Sequence, residues 1–65
     1  MLLDQPFEYL LQFTDGTYHT GFAATMDELA LTRTGNVRDA LAYTLRGAYK
    51  IQDAFPAAEL QVVHI

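Results

Sequence analysis

Two alternating runs joined by Asp15-Gly16 constrain this chain more than any other feature. In residues 7–13, Phe7, Tyr9, Leu11 and Phe13 fall on one side and Glu8, Leu10 and Gln12 on the other. Period two with aromatic enrichment predicts a β-strand. Residues 17–23 alternate again, with Tyr18, Thr20 and Phe22 on one side. Asp-Gly is the favoured centre of a two-residue type I′ turn, since both central positions need positive φ. Such a turn sets Phe13 opposite Tyr18, Leu11 opposite Thr20, and Tyr9 opposite Phe22, all on one aromatic face. The other face then receives Gln12 with His19, Leu10 with Gly21, and Glu8 with Ala23. Because a one-residue slip flips every side chain, this agreement of faces supports the hairpin.

Beyond the hairpin, Thr25-Met26-Asp27-Glu28 has capping-box spacing and predicts a short helix with Thr25 as N-cap. Met26, Leu29 and Ala30 would pack inward, and the polar Thr32-Arg33-Thr34-Gly35 would end it. A long amphipathic helix is expected from Asn36, an N-cap with Asp39 three residues on. Val37, Leu41, Thr44, Leu45, Ala48, Ile51 and Phe55 recur at helical spacing, and Pro56 closes the helix. Gly47 weakens its last third by about 1 kcal/mol relative to alanine. The β-branched, alternating end, residues 60–65, predicts a third strand.

The expected fold class is therefore α+β in one domain, residues 1–65: a three-stranded, mainly antiparallel sheet in the order ββααβ. It consists of the hairpin plus the C-terminal strand, with one long helix on the aromatic face and a short helix beside it. The first strand, the most apolar, is placed between the other two. The opposite sheet face, with Leu10, Gln12 and His19, is expected to be open. The leading Met1-Leu2-Leu3 is expected to be disordered or to pack on a neighbour.

A chain of 65 residues buries only ~60% of the surface its unfolded form exposes, so its stability is marginal. Small scaffolds are commonly stapled by disulfides, a metal or association. There is no cysteine, which removes disulfides and thiolate ligands and suits a reducing compartment. The start, Met1-Leu2-Leu3-Asp4-Gln5-Pro6, lacks the basic and long apolar regions of a signal peptide. No run approaches the ~20 apolar residues of a membrane span, so the expected location is cytoplasmic. Association with a copy of itself or with another protein is the remaining staple.

Few residues suggest chemistry. Serine is absent as well as cysteine. His19 and His64 lack the convergent partners that zinc needs, with only Glu8, Gln12 and Asp4 nearby in the expected sheet. Both read as solvated or edge histidines. No glycine cluster has phosphate-loop spacing. No catalytic residue, cofactor, metal or small-molecule ligand is expected. Arg46 and Lys50, one turn apart, form the only basic surface, with Arg38 and Arg33 near it and Asp39 and Asp53 blunting its field. Tyr43 is placed on that same helix face, where tyrosine beside arginine suits protein contact. Aromatic sheets that stack RNA bases are a poor comparison, because here the aromatics are needed for the core and the net charge is −4.

The layout resembles a loose group of small phage and prophage proteins, often of Gram-positive bacteria. The resemblance rests on Tyr9-Leu10-Leu11-Gln12-Phe13, the turn Thr14-Asp15-Gly16-Thr17-Tyr18, and the acidic Met26-Asp27-Glu28-Leu29-Ala30. It extends through the alanine-rich residues 37–48 to Phe55-Pro56-Ala57-Ala58-Glu59-Leu60 before a valine strand. It implies an accessory, non-enzymatic protein and carries over no functional residue. The expected function is protein–protein interaction, with self-association as a homodimer, through Leu10, Gln12 and His19 on the sheet or Tyr43, Arg46 and Lys50 on the helix. The alternative is nucleic-acid association through Arg33, Arg38, Arg46 and Lys50, which would weaken steeply with salt. An enzyme would need His19 or His64 as its base.

Overall fold

The computed structural model describes residues 6–65. The expectation for Met1-Leu2-Leu3, and Asp4 as a candidate ligand, lie outside the described residues. Four strands form one sheet: β1 (Tyr9–Gln12), β2 (Tyr18–Ala24), β3 (Leu29–Thr34) and β4 (Gln61–His64). Their order is β3-β2-β1-β4, and every neighbouring pair is antiparallel. One α-helix, α1 (Leu45–Ala54), lies between β3 and β4 in the chain. The fold is thus α+β with an antiparallel sheet, and β1 does sit between the hairpin strand and the C-terminal strand. The sheet has four strands rather than three, and α1 is the one α-helix among the described residues.

The added strand is β3, where a short helix was expected. Thr25 and Glu28 do interact as a capping box would have them: the Glu28 N–H donates to Thr25 Oγ1 at 3.1 Å. The same two residues also close a hairpin, with the Thr25 N–H donating to the Glu28 carbonyl at 2.8 Å. Leu29, Leu31 and Arg33 then alternate with Ala30, Thr32 and Thr34 along β2. A polar cap satisfies a backbone donor equally well at a turn and at a helix start.

The β1–β2 register differs from expectation by one residue. The Phe13 N–H donates to the Thr17 carbonyl at 2.8 Å, so the loop holds Thr14, Asp15 and Gly16. Gln12 then pairs with Tyr18. Gly16, at φ 88°, supplies the left-handed residue of a three-residue loop. Asp15 Oδ1 accepts from the Thr17 N–H at 2.9 Å and from the Thr17 hydroxyl. The slip puts Tyr18 on the Gln12 face and leaves His19 facing the core. A bulge between His19 and Gly21 then sets Phe22 opposite Leu31. The extra residue reverses the alternation, so His19 and Phe22 both face the core side.

Only part of the expected long helix is helical. Asn36 caps a single 3₁₀ turn, Val37–Asp39, by accepting from the Arg38 N–H. Residues 40–43 then run extended, and Tyr43 exchanges two backbone hydrogen bonds with Tyr9, at 3.0 and 2.7 Å. The Leu41 N–H donates to the His19 carbonyl at 3.0 Å. This segment therefore lies between β1 and β2 where they part. Thr44, expected inside the helix stripe, is instead the N-cap of α1 and accepts from the Gly47 N–H.

The core is small. Leu11 and Phe13 meet Ala48 of α1 and Leu60, with Tyr9, Leu31, Tyr43, Ile51, Ala58 and Val62 packed around them. Ala48 is fully buried, and its short side chain lets the helix approach the sheet closely. Burying Leu11 completely contributes roughly 1.5–3 kcal/mol. The helix covers the aromatic side of β1 and β4 but not the β2–β3 half. No helix among the described residues is long and apolar enough to cross a membrane.

Candidate functional site

The six residues expected to form interaction surfaces are dispersed by the fold. Leu10, at 4% exposure, and His19, at 0%, are buried, so they do not belong to an open sheet face. Gln12 is half-buried, and its Nε2 donates to the Gly16 carbonyl at 3.2 Å. Tyr43 is not on the helix; it is half-buried beside Tyr9. Arg46 and Lys50 are exposed on α1 as expected. With Leu45, Tyr49 and Asp53 they line a shallow depression of about 460 Å³, whose two cations share space with one carboxylate.

His19 and Tyr43 make an internal pair. The Tyr43 hydroxyl lies 2.6 Å from His19 Nε2, and the rings stack at 5.6 Å. Phe22 meets the imidazole edge-on at 5.1 Å. Nδ1 is buried with no hydrogen-bond partner. Burial holds His19 below its ordinary pKa of 6.5, and the Thr32 backbone opposes this in part. Burial likewise raises the Tyr43 pKa. The expectation of a solvated or edge histidine therefore fails for His19. His64 is exposed, as expected, and its Nε2 lies 3.1 Å from Glu8 Oε2, with the Tyr9 ring 4.8 Å away. Among the described residues no three histidine, aspartate or glutamate side chains cluster as a metal site requires.

A second feature was not legible from motifs. Beside β3 a groove of about 490 Å³ opens between Leu31 and Arg33 of the strand, Phe13, and the chain after α1. Phe55, Pro56 and Ala58 form its far wall. Its lining is apolar apart from Arg33, whose guanidinium lies 3.8 Å from the centre of the Phe13 ring. Arg33 Nη1 also reaches Asp15 Oδ2 at 3.1 Å. The Asp15 carboxyl is held below its usual range by its Thr17 hydrogen bonds and, less strongly, by Arg33. The groove exists because α1 covers only β1 and β4, leaving the β2–β3 ribbon to project. That ribbon carries exposed apolar side chains: Phe22 at 43%, Leu29 at 52% and Met26 at 101%. The alternation Leu29-Ala30-Leu31 followed by two threonines was the signal for a strand here, masked by the capping-box spacing before it.

No protein-family model matches the chain, and no curated protein or solved structure does.

Proposed function

We propose that this chain is a small interaction protein that acts by docking against another polypeptide at the β3 edge. The groove carries the reading: it is apolar, accessible, and flush with a strand whose outer side is unpaired among the described residues. Strand addition supplies main-chain hydrogen bonds at such an edge, and an adjoining pocket selects side chains. Phe22, paired with Leu31, and Leu29 on the same side of β3 enlarge the same patch. Contiguous exposed apolar surface of this kind marks contact sites on small proteins. The reading is non-enzymatic, in keeping with an accessory protein of the phage type that the sequence resembles. Charge weighs against a phosphate-binding surface, since Arg33 is tied to Asp15 and Asp53 sits beside Arg46 and Lys50.

Cross-linking capture with wild-type and substituted protein tests this. A partner held by the wild type, lost with Leu29→Lys and kept with Arg46→Ala and Lys50→Ala, places the contact at β3. Loss only with the Arg46 and Lys50 variants would move it to the helix face.

A further inference from the structure

We propose that the occupant of the β3 groove is a second copy of this chain. In this arrangement β3 pairs antiparallel with its copy about a two-fold axis, and Leu29 of each copy packs at the rim of the other's groove. The inference rests on the interaction reading above and names its partner.

Charge along β3 gives the first reason. Asp27 and Glu28 precede the strand, Arg33 lies near its end, and Arg38 follows. The element is therefore acidic at one end and basic at the other. A parallel copy would stack like charges. An antiparallel copy centred on Leu31 sets Leu29 opposite Arg33 and brings Asp27 and Glu28 beside the partner's basic end. Arg33 Nη1 already serves Asp15 at 3.1 Å, but the side chain is half-exposed and its other donors remain for a second carboxylate.

Placement of the apolar surface gives the second reason. An unprotected edge strand invites pairing, and proteins usually blunt it with charge, proline or cover. β3 has six residues, no proline and one charge, and its neighbour β2 presents Phe22 on the same side as the groove. Leu29, on the same side of β3 as Leu31, is itself 52% exposed. The two-fold that sets Leu29 opposite Arg33 brings this side chain of each copy to the rim of the other's groove, which Leu31 and Arg33 line. At the other sheet edge, α1 covers the face of β4, and its exposed end holds the His64–Glu8 pair.

The core gives the third reason. Among the described residues the buried apolar set is Leu10, Leu11, Phe13, Ala48 and Leu60, in a chain without cysteine. A two-fold interface typically hides ~800 Å² per copy. That is roughly a sixth of the 4523 Å² this chain exposes.

Light scattering from micromolar to millimolar protein tests the proposal, with circular dichroism confirming that each variant is folded. Wild type is expected to reach the mass of two chains. Leu29→Asp is expected to weaken self-association about tenfold or more. Asp27→Arg and Arg33→Glu, each alone, place like charges across both halves of the interface and are expected to be monomeric. Mixed in equal amounts they pair opposite charges at both contacts, so the mixture is expected to regain two-chain mass. A wild type that stays at one-chain mass throughout overturns the proposal. So does a dimer that survives Leu29→Asp and both charge reversals. Titrating a monomeric protein with a capped alternating Leu–Thr hexapeptide separates the two readings. Shifts of the Leu31 and Phe55 amides would retain strand addition while discarding the second copy, and no shifts would discard both.

Discussion

His19 has no contact with water, and its two ring nitrogens have different fates. Nε2 is held by the Tyr43 hydroxyl, while Nδ1 makes no well-formed hydrogen bond and only the Thr32 backbone acts weakly on the ring. Removing the hydroxyl by Tyr43→Phe leaves Nε2 unsatisfied in the interior. The expected cost is ~1–3 kcal/mol, read from urea unfolding, because an orphaned buried polar group keeps its full desolvation penalty. An unchanged midpoint would mean that water or another group reaches the ring. Acid should act on the same residue. Above its ordinary pKa of 6.5 the imidazole is neutral in both states, and its contribution to stability is complete. Below that value the unfolded chain takes up a proton that the folded chain resists, so stability falls as pH falls. The loss ends once pH has passed the lowered folded value. Urea midpoints measured across this range are expected to slope downward toward acid, and His19→Asn is expected to flatten the slope. Backbone conformation adds a further test. Gly16 occupies φ 88°, so Gly16→Ala is expected to cost about 1–2 kcal/mol in a thermal melt.

At the scale of elements, α1 depends on Thr44. Its hydroxyl accepts from the Gly47 N–H at 3.1 Å, and a Cβ added at Gly47 would approach the same oxygen to 3.1 Å. Thr44→Ala is expected to cost about 1 kcal/mol, the usual loss of an N-cap. Gly47→Ala is expected to fall short of the ~1 kcal/mol that alanine normally gains in a helix, because it crowds that cap. Equilibrium unfolding of the two single variants checks both. The same elements show what was readable in advance. The strand at Tyr9–Gln12 followed from strict alternation, and the cover of its Leu11 face by Ala48 and Ile51 followed from helical spacing. The start of the helix did not, because residues 41–43 obey a rule outside the helix pattern. Tyr43 gains two backbone bonds to Tyr9, and Leu41 one to His19, which hold the chain extended. Local periodicity carries no trace of such distant partners. The three-residue loop at Asp15-Gly16 and the bulge after His19 were equally hidden, yet together they decide that His19 faces inward. The groove is hidden in the sequence for a related reason: it joins Leu31 to Phe55, from two segments whose local spacing is that of helices.

At the scale of the whole molecule, the chain is elongated, at 39 × 23 × 18 Å. Its radius of gyration of 12.0 Å exceeds the ~11 Å usual for this length. The extension comes from the projecting β2–β3 ribbon, while Leu11, Phe13, Ala48 and Leu60 are gathered at the β1, α1 and β4 end. Residues at the tip of the ribbon rest on few buried contacts, as the exposure of Ala23, Ala24, Met26 and Leu29 shows. Local opening should follow that division, since stability is lowest where apolar burial is least. In dilute solution the Ala23, Ala24 and Ala30 amides are expected to exchange with solvent about a hundredfold faster than those of Leu11 and Ala48. Raising the concentration should slow the amides of β3 selectively if a second copy pairs with its edge, because only the outward N–H groups gain partners. The Leu11 and Ala48 amides would then change only as far as association raises global stability. Uniform protection along β2 and β3 in dilute solution would show instead that the ribbon and the core open as one cooperative unit. The hairpin would then owe its order to its coupling with the β1, α1 and β4 core and not to any partner.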